Sequence, residues 1–125
     1  MEITVIGCGR WGSFLAWYLD RIGHAVTLYG RKGSEHLTRL SETRQSGTLT
    51  LGAGIGLTDS LSAALRSPVL VVSVNAQGLR SLCGELREAG VQNRTLVLCM
   101  KGIETPSGKR LSEITAELLD SSNRT

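Results

Sequence analysis

Residues Gly7-Cys8-Gly9-Arg10-Trp11-Gly12 spell G-x-G-x-x-G, and the pattern on either side of that hexapeptide narrows what the chain can fold into more than any other feature. The β-branched run at residues 2–6 (EITVI) is too short for a helix and is ended by Gly7, so it reads as a buried strand. From Trp11 the positions Trp11, Phe14, Leu15, Tyr18, Leu19 and Ile22 recur at the spacing of one helix face, and Gly23 stops that helix. A second strand follows in AVTLY, residues 25–29. A lone hexapeptide is a weak signal in a chain with 15 glycines. Between a strand and a helix it gains physical meaning: Gly7 permits the tight turn, Gly9 lets a pyrophosphate approach the backbone, and Gly12 allows close helix–strand packing. The helix N-terminus then receives the anion. The segment reads as a dinucleotide-binding turn.

The rest of the chain repeats the alternation. A polar helix is expected near residues 34–45 with Leu37 and Leu40 inward, then a glycine-rich loop over 45–56 with a short strand at 48–51. A short helix over 59–65, capped by Thr58 or Asp59, precedes Pro68 and the continuous apolar run of residues 69–74, a central strand. Asn75 can cap a helix running to about Ala89, with Leu79, Leu82, Cys83 and Leu86 on its inner face. A further buried strand is expected at residues 95–100, and Leu111, Ile114, Leu118 and Leu119 give a last amphipathic helix. Strands alternating with helices imply an α/β fold, a Rossmann-type doubly wound parallel sheet in a three-layer α/β/α sandwich. Residues 1–125 are expected to form one such domain, without repeat or interior boundary.

Composition removes several other classes. With glycine added to the 41% hydrophobic residues the apolar share passes half, which argues against disorder. The net charge of +3 comes without a block of consecutive Lys or Arg, so nucleic-acid binding is not expected. No stretch reaches the roughly 18 apolar residues of a membrane span, and the N-terminus lacks a secretory pattern, so a cytoplasmic location is expected. Cys8, Cys83 and Cys99 are widely spaced, without a CxxC or a nearby His pair. They read as free thiols filling apolar space, and no metal site is expected.

Cofactor choice depends on the end of the second strand. NAD-selective sites place an Asp or Glu about 20 residues beyond the fingerprint, where it binds the ribose hydroxyls. Here the chain reads Tyr29-Gly30-Arg31-Lys32. No acid is present, and two cations stand where a 2′-phosphate would lie, Arg31 as a bidentate grip and Lys32 as a point charge. NADP(H) is therefore expected to bind more tightly than NAD(H), with NAD(H) as the alternative.

Three blocks of residues also carry a resemblance: Gly7-x-Gly9-x-Trp11-Gly12; Gly23-His24-x-Val26-Thr27-Leu28-x-Gly30-Arg31; and Met100-Lys101-Gly102-Ile103-Glu104 with Gly108-Lys109-x-Leu111-Ser112-Glu113. Together they resemble bacterial NAD(P)-dependent glycerol-3-phosphate dehydrogenases along the full chain. The tryptophan before the third glycine and the KGIE…GK-x-LSE block are its most specific parts. The resemblance implies reversible hydride transfer between NAD(P)H and dihydroxyacetone phosphate, giving sn-glycerol 3-phosphate for phospholipid synthesis. It implies that Trp11 lies along the cofactor, that Arg31 meets the adenosine ribose or its phosphate, and that Lys101 touches cofactor and substrate. A lysine ammonium at the carboxyl end of a strand can bind a phosphorylated substrate and polarise its carbonyl, which gives Lys101 a catalytic role.

The chain departs from that family at three places. Arg10 stands where a small Ser or Ala is usual and adds a cation near the expected pyrophosphate. Asn75 stands where a proline is usual, beside the expected nicotinamide. The loop over 46–56 is shortened. Family members continue into a helical C-terminal domain with a second lysine and further substrate-binding groups, so this chain alone is not expected to turn over, and a homodimer is compatible with the full-length enzyme. His24 and His36 lack a second ligand at metal spacing and receive no catalytic role. Two other readings stay open: a ketopantoate reductase-like NADP-dependent dehydrogenase, against which the KGIE block speaks, and a non-catalytic nucleotide-sensing module.

Overall fold

The computed structural model describes residues 1–100, 105 and 107–125. The first unit is β1 (Glu2–Ile6), α1 (Arg10–Arg21) and β2 (Ala25–Tyr29), followed by α2 (Glu35–Thr43). A two-stranded hairpin, β3 (Gln45–Ser46) and β4 (Leu49–Thr50), precedes β5 (Gly56–Thr58) and the short helix α3 (Leu61–Ala64). Then come β6 (Val69–Val72), a 3₁₀ turn (Ala76–Gly78), α4 (Leu79–Glu88), β7 (Thr95–Leu98) and α5 (Leu111–Leu118).

Five strands form one parallel sheet in the order β5-β2-β1-β6-β7. Parallel strands need crossovers and are usually buried on both faces; here helices cover both faces of the sheet, though the edge strand β7 leaves Val97 exposed. On one face, Ile3, Val5, Val26, Leu28 and Val71 pack with Ala16 of α1 and Leu40 of α2. On the other, Ile6, Leu70, Val72 and Leu96 pack against Leu79, Leu82 and Leu86 of α4 and Leu111 and Ile114 of α5. The result is the expected three-layer, doubly wound Rossmann-type arrangement. The order reverses between β1 and β6, and the crevice at the carboxyl ends of those two strands is where such sheets bind ligands.

Several local expectations change. β5 is a strand that was not expected, since the loop was read to end at residue 56 and Thr58 as a helix cap; it has three residues, begins with glycine and takes the sheet's edge beside β2, so periodicity gives no warning of it. The α3 cap is Ser60, whose hydroxyl accepts from the Ala63 amide, because Thr58 is still in β5 and its own Oγ1 accepts from the Ser60 amide. Asn75 caps the 3₁₀ turn, with its Oδ1 accepting from the Gly78 amide at 2.8 Å, and α4 begins only after that turn.

The largest difference lies in α1. Its apolar series faces the sheet only in part: Leu15 and Leu19 are half-buried against the core, whereas Trp11, Phe14, Tyr18 and Ile22 are 53%, 38%, 47% and 52% exposed. The buried face is Gly12, Ser13 and Ala16. A β-carbon on Gly12 would stand 1.8 Å from the Gly7 carbonyl oxygen, so the helix crosses its own turn too closely for large side chains. Among the described residues no helix is long and apolar enough to cross a membrane, and no three His, Cys, Asp or Glu residues group as metal ligands.

Candidate functional site

The turn from β1 into α1 is built from backbone contacts. Gly7 has φ +113, which favours glycine, and a β-carbon there would lie 2.5 Å from the Ser73 carbonyl oxygen at the end of β6. The Gly7 amide donates to the Tyr29 carbonyl, the Ser73 amide to the Ile6 carbonyl, and the buried Ser13 hydroxyl to the Cys8 carbonyl at 3.1 Å. Gly9 is the N-cap of α1, and no side chain caps the helix or places an acid in its first turn. A β-carbon on Gly9 would meet nothing within 4 Å. An uncapped helix start beside open space presents backbone donors and the positive end of the helix dipole to an anion.

Above this turn lies a cleft of about 440 Å³ at the carboxyl ends of β1, β2 and β6. Its lining brings together Gly7, Gly9, Arg31, Lys32 and Asn75, five of the residues singled out from sequence. Tyr29, Ser34, His36, Ser73 and Leu82 also line it. Nothing in the sequence marked these except their places after strands or on helices. Ser73 lines the crevice, and its hydroxyl is buried near Gly12 without a hydrogen-bond partner among the described residues.

Other singled-out residues lie elsewhere. Gly12 lies beneath the turn as the packing contact. Arg10 does not line the cleft; its guanidinium is near Gly47 of the β3–β4 hairpin, and the two share a separate depression. The Trp11 indole donates to the Cys99 carbonyl at 2.8 Å and stacks on Phe14, with ring centroids 5.6 Å apart, so it bridges the start of α1 to the chain just after β7. Lys101 lies outside the described residues.

At the far end of the cleft, the place where an acid would stand is closed. A β-carbon on Gly30 would lie 2.5 Å from Cys8 Sγ and 3.1 Å from Leu37 Cβ. Arg31 is paired with a carboxylate that has no sequence-level link to it: its Nη1 is 3.2 Å from Glu85 Oε1 of α4. Burial raises the Tyr29 phenol above its ordinary pKa, and the Glu85 charge adds to that while Arg31 opposes it. The three free cysteines occupy apolar surroundings, and burial pushes the Cys83 thiol up to about 11.

This arrangement fits a dinucleotide: amides and an open glycine for a pyrophosphate, a serine lining the crevice, and cations at the end of β2. Residues 2–125 match the family model described as NAD-dependent glycerol-3-phosphate dehydrogenase N-terminus. A curated relative, the glycerol-3-phosphate dehydrogenase (NAD(P)+) of Bradyrhizobium diazoefficiens, is 36% identical over 119 residues, covering 93% of this chain and 36% of the relative. The crystal structure of glycerol-3-phosphate dehydrogenase from Coxiella burnetii superposes with a TM-score of 0.84 at 21% identity, covering 94% of this chain and 37% of that one. A PanE/ApbA family ketopantoate reductase from Ralstonia eutropha gives a TM-score of 0.75 at 16% identity over 99% of this chain and 39% of that one, a likeness of fold alone. The chain thus spans little more than a third of the length of the proteins it matches.

Proposed function

From the premise that this chain belongs to the family of the NAD-dependent glycerol-3-phosphate dehydrogenase N-terminus, we propose that it is the cofactor-binding part of an oxidoreductase interconverting dihydroxyacetone phosphate and sn-glycerol 3-phosphate. The observation that carries this reading is the conjunction of an uncapped α1, an open Gly9 and a cleft at the β1/β6 switch point. The amides after Gly9 would hold the pyrophosphate, and Ser73 and Asn75 would line the nicotinamide end of the crevice. Trp11, fixed by its bond to the Cys99 carbonyl, stands beside the start of α1. A bound nicotinamide would supply hydride transfer to the carbonyl carbon of the ketone and, in reverse, from the carbinol carbon of the alcohol.

At the other end, Arg31 and Lys32 are proposed to receive a 2′-phosphate, which makes NADP(H) the tighter ligand. Lys101, at the chain position after β7, is proposed to bind the phosphorylated substrate and polarise its carbonyl. The remaining substrate groups are assigned to the part of the relatives that this chain does not span, so turnover is expected only from the longer enzyme.

The test is a titration of the chain with NADPH and NADH, followed by fluorescence, together with Gly9→Val. Wild-type binding at submillimolar Kd is expected. Gly9→Val fills the open space and should weaken binding by about tenfold or more while lowering Tm by less than about 5 °C, since it disturbs only the helix cap. No binding of either nucleotide by the wild type at millimolar concentration would overturn the reading.

A further inference from the structure

The cofactor reading leaves without a role one charged residue, Glu85, which is paired to a lining residue of the cleft. Dinucleotide sites that take the unphosphorylated cofactor usually hold its ribose with an acid from the second strand. Here that strand cannot carry one, because Cys8 Sγ and Leu37 Cβ fill the space a side chain on Gly30 would need. An acid nevertheless stands at this end, delivered from the opposite layer. Glu85 lies one turn after Leu82, which lines the cleft, and its Oε1 is 3.2 Å from Nη1 of Arg31. Both side chains are part-exposed, at 37% and 55%, so either can change partners without crossing the core. The carboxylate acts into the cleft as well, since its charge disfavours ionisation of the Tyr29 phenol there.

Resting on the proposed cofactor reading, we propose that Glu85 is a specificity-determining residue, which competes with the 2′-phosphate of NADP(H) for Arg31. When the ligand carries a 2′-phosphate, Arg31 must leave the carboxylate to form charge-assisted bonds to the phosphate, and part of that gain is lost in breaking the existing pair. When the ligand carries only a 2′-hydroxyl, Arg31 stays paired and no unneutralised cation faces the ribose. Glu85 thereby narrows the gap between the two nucleotides and keeps the site open to both. Lys32 also lines the cleft but forms no ion pair among those found in the described residues, so its attraction for the phosphate is unopposed.

The test compares Kd for NADPH and NADH in four chains: wild type, Glu85→Gln, Arg31→Met and the double variant, with Tm as a check on folding. Glu85→Gln is expected to tighten NADPH by about threefold or more, the scale of an exposed ion pair, and to leave NADH within about twofold. In the Arg31→Met background the same change should move NADPH by less than about twofold, because there is no longer a cation to release. A purely structural role for Glu85 would shift both nucleotides together. An unchanged NADH/NADPH ratio in Glu85→Gln, or a gain that persists undiminished without Arg31, overturns the proposal while leaving the cofactor reading in place. Failure of the wild type to bind either nucleotide removes that reading and this proposal with it. If Glu85→Gln lowered Tm markedly, Glu85→Ala would repeat the comparison, and the same ratio decides it.

Discussion

The thiol of Cys8 and the bare α-carbon of Gly30 occupy one another's space. A β-carbon at residue 30 would approach Cys8 Sγ to 2.5 Å and Leu37 Cβ to 3.1 Å, and cores resist such overpacking by about 1–3 kcal/mol. Gly30→Ala is expected to destabilise the chain by an amount of that order. Cys8→Ala, which removes the sulfur, should recover about half of it in the double variant, leaving the Leu37 contact. Urea unfolding of the four chains measures the coupling, and purely additive values would count against the contact. Sequence reasoning could identify Gly30 as the missing acid but not why it is missing, since the reason is a size match between a turn residue and a strand end 22 positions apart. The Arg31–Glu85 pair was hidden for the same reason, joining β2's end to a helix of the other layer with no periodicity to mark it.

Among the elements, the strands β1, β2, β6 and β7 and the inner face of α4 were legible: the central strands are buried on both sides and apolar almost throughout, the edge strand β7 keeps an apolar run although Val97 is exposed, and α4 meets the sheet with its large residues. In α1 the apolar spacing correctly marked a helix, but only Leu15 and Leu19 of its series reach the core and the other four positions lie in solvent. Hydrophobic periodicity measures which side chains avoid water, whereas the side that packs here is chosen by how near the axis must come to the strand. Gly12, Ser13 and Ala16 permit that approach, and the aromatic series turns outward. Tyr18→Ser should therefore cost less than about 1 kcal/mol, while Ala16→Leu, wholly buried between helix and sheet, should cost about 2 kcal/mol or more. Denaturant midpoints of the two variants give the comparison, and a reversed order would mean that the aromatic row is the true packing face. β5 and the Ser60 cap were illegible because three residues and a serine beside a threonine and an aspartate leave no distinguishing pattern.

Across the whole molecule, the second layer is tied together by charge as well as by its apolar core. Lys109 and Arg80 both donate to Glu117, linking the approach to α5, α5 itself and α4, and these bonds hold the Glu117 carboxyl below its usual pKa. A carboxyl depressed in the folded state stabilises the fold above its unfolded pKa and loses that contribution as pH falls through its folded value. Glu117→Gln is accordingly expected to lower Tm at pH 7, with the difference from wild type shrinking as pH falls below the ordinary carboxylate range and vanishing once the carboxyl is protonated in the folded state. A difference that persisted after that protonation would mean that the residue acts through packing. The opening motif also joins distant parts of the fold. A side chain at Gly7 would meet the Ser73 carbonyl just after β6, 66 residues away, and one at Gly12 the Gly7 carbonyl, whereas one at Gly9 would meet only open space. The three letters thus carry unequal information: the first and third record an architecture, the middle one an occupant. A descendant that had abandoned its nucleotide would still be obliged to keep Gly7 and Gly12, and drift at position 9 would be the first sign that it had done so.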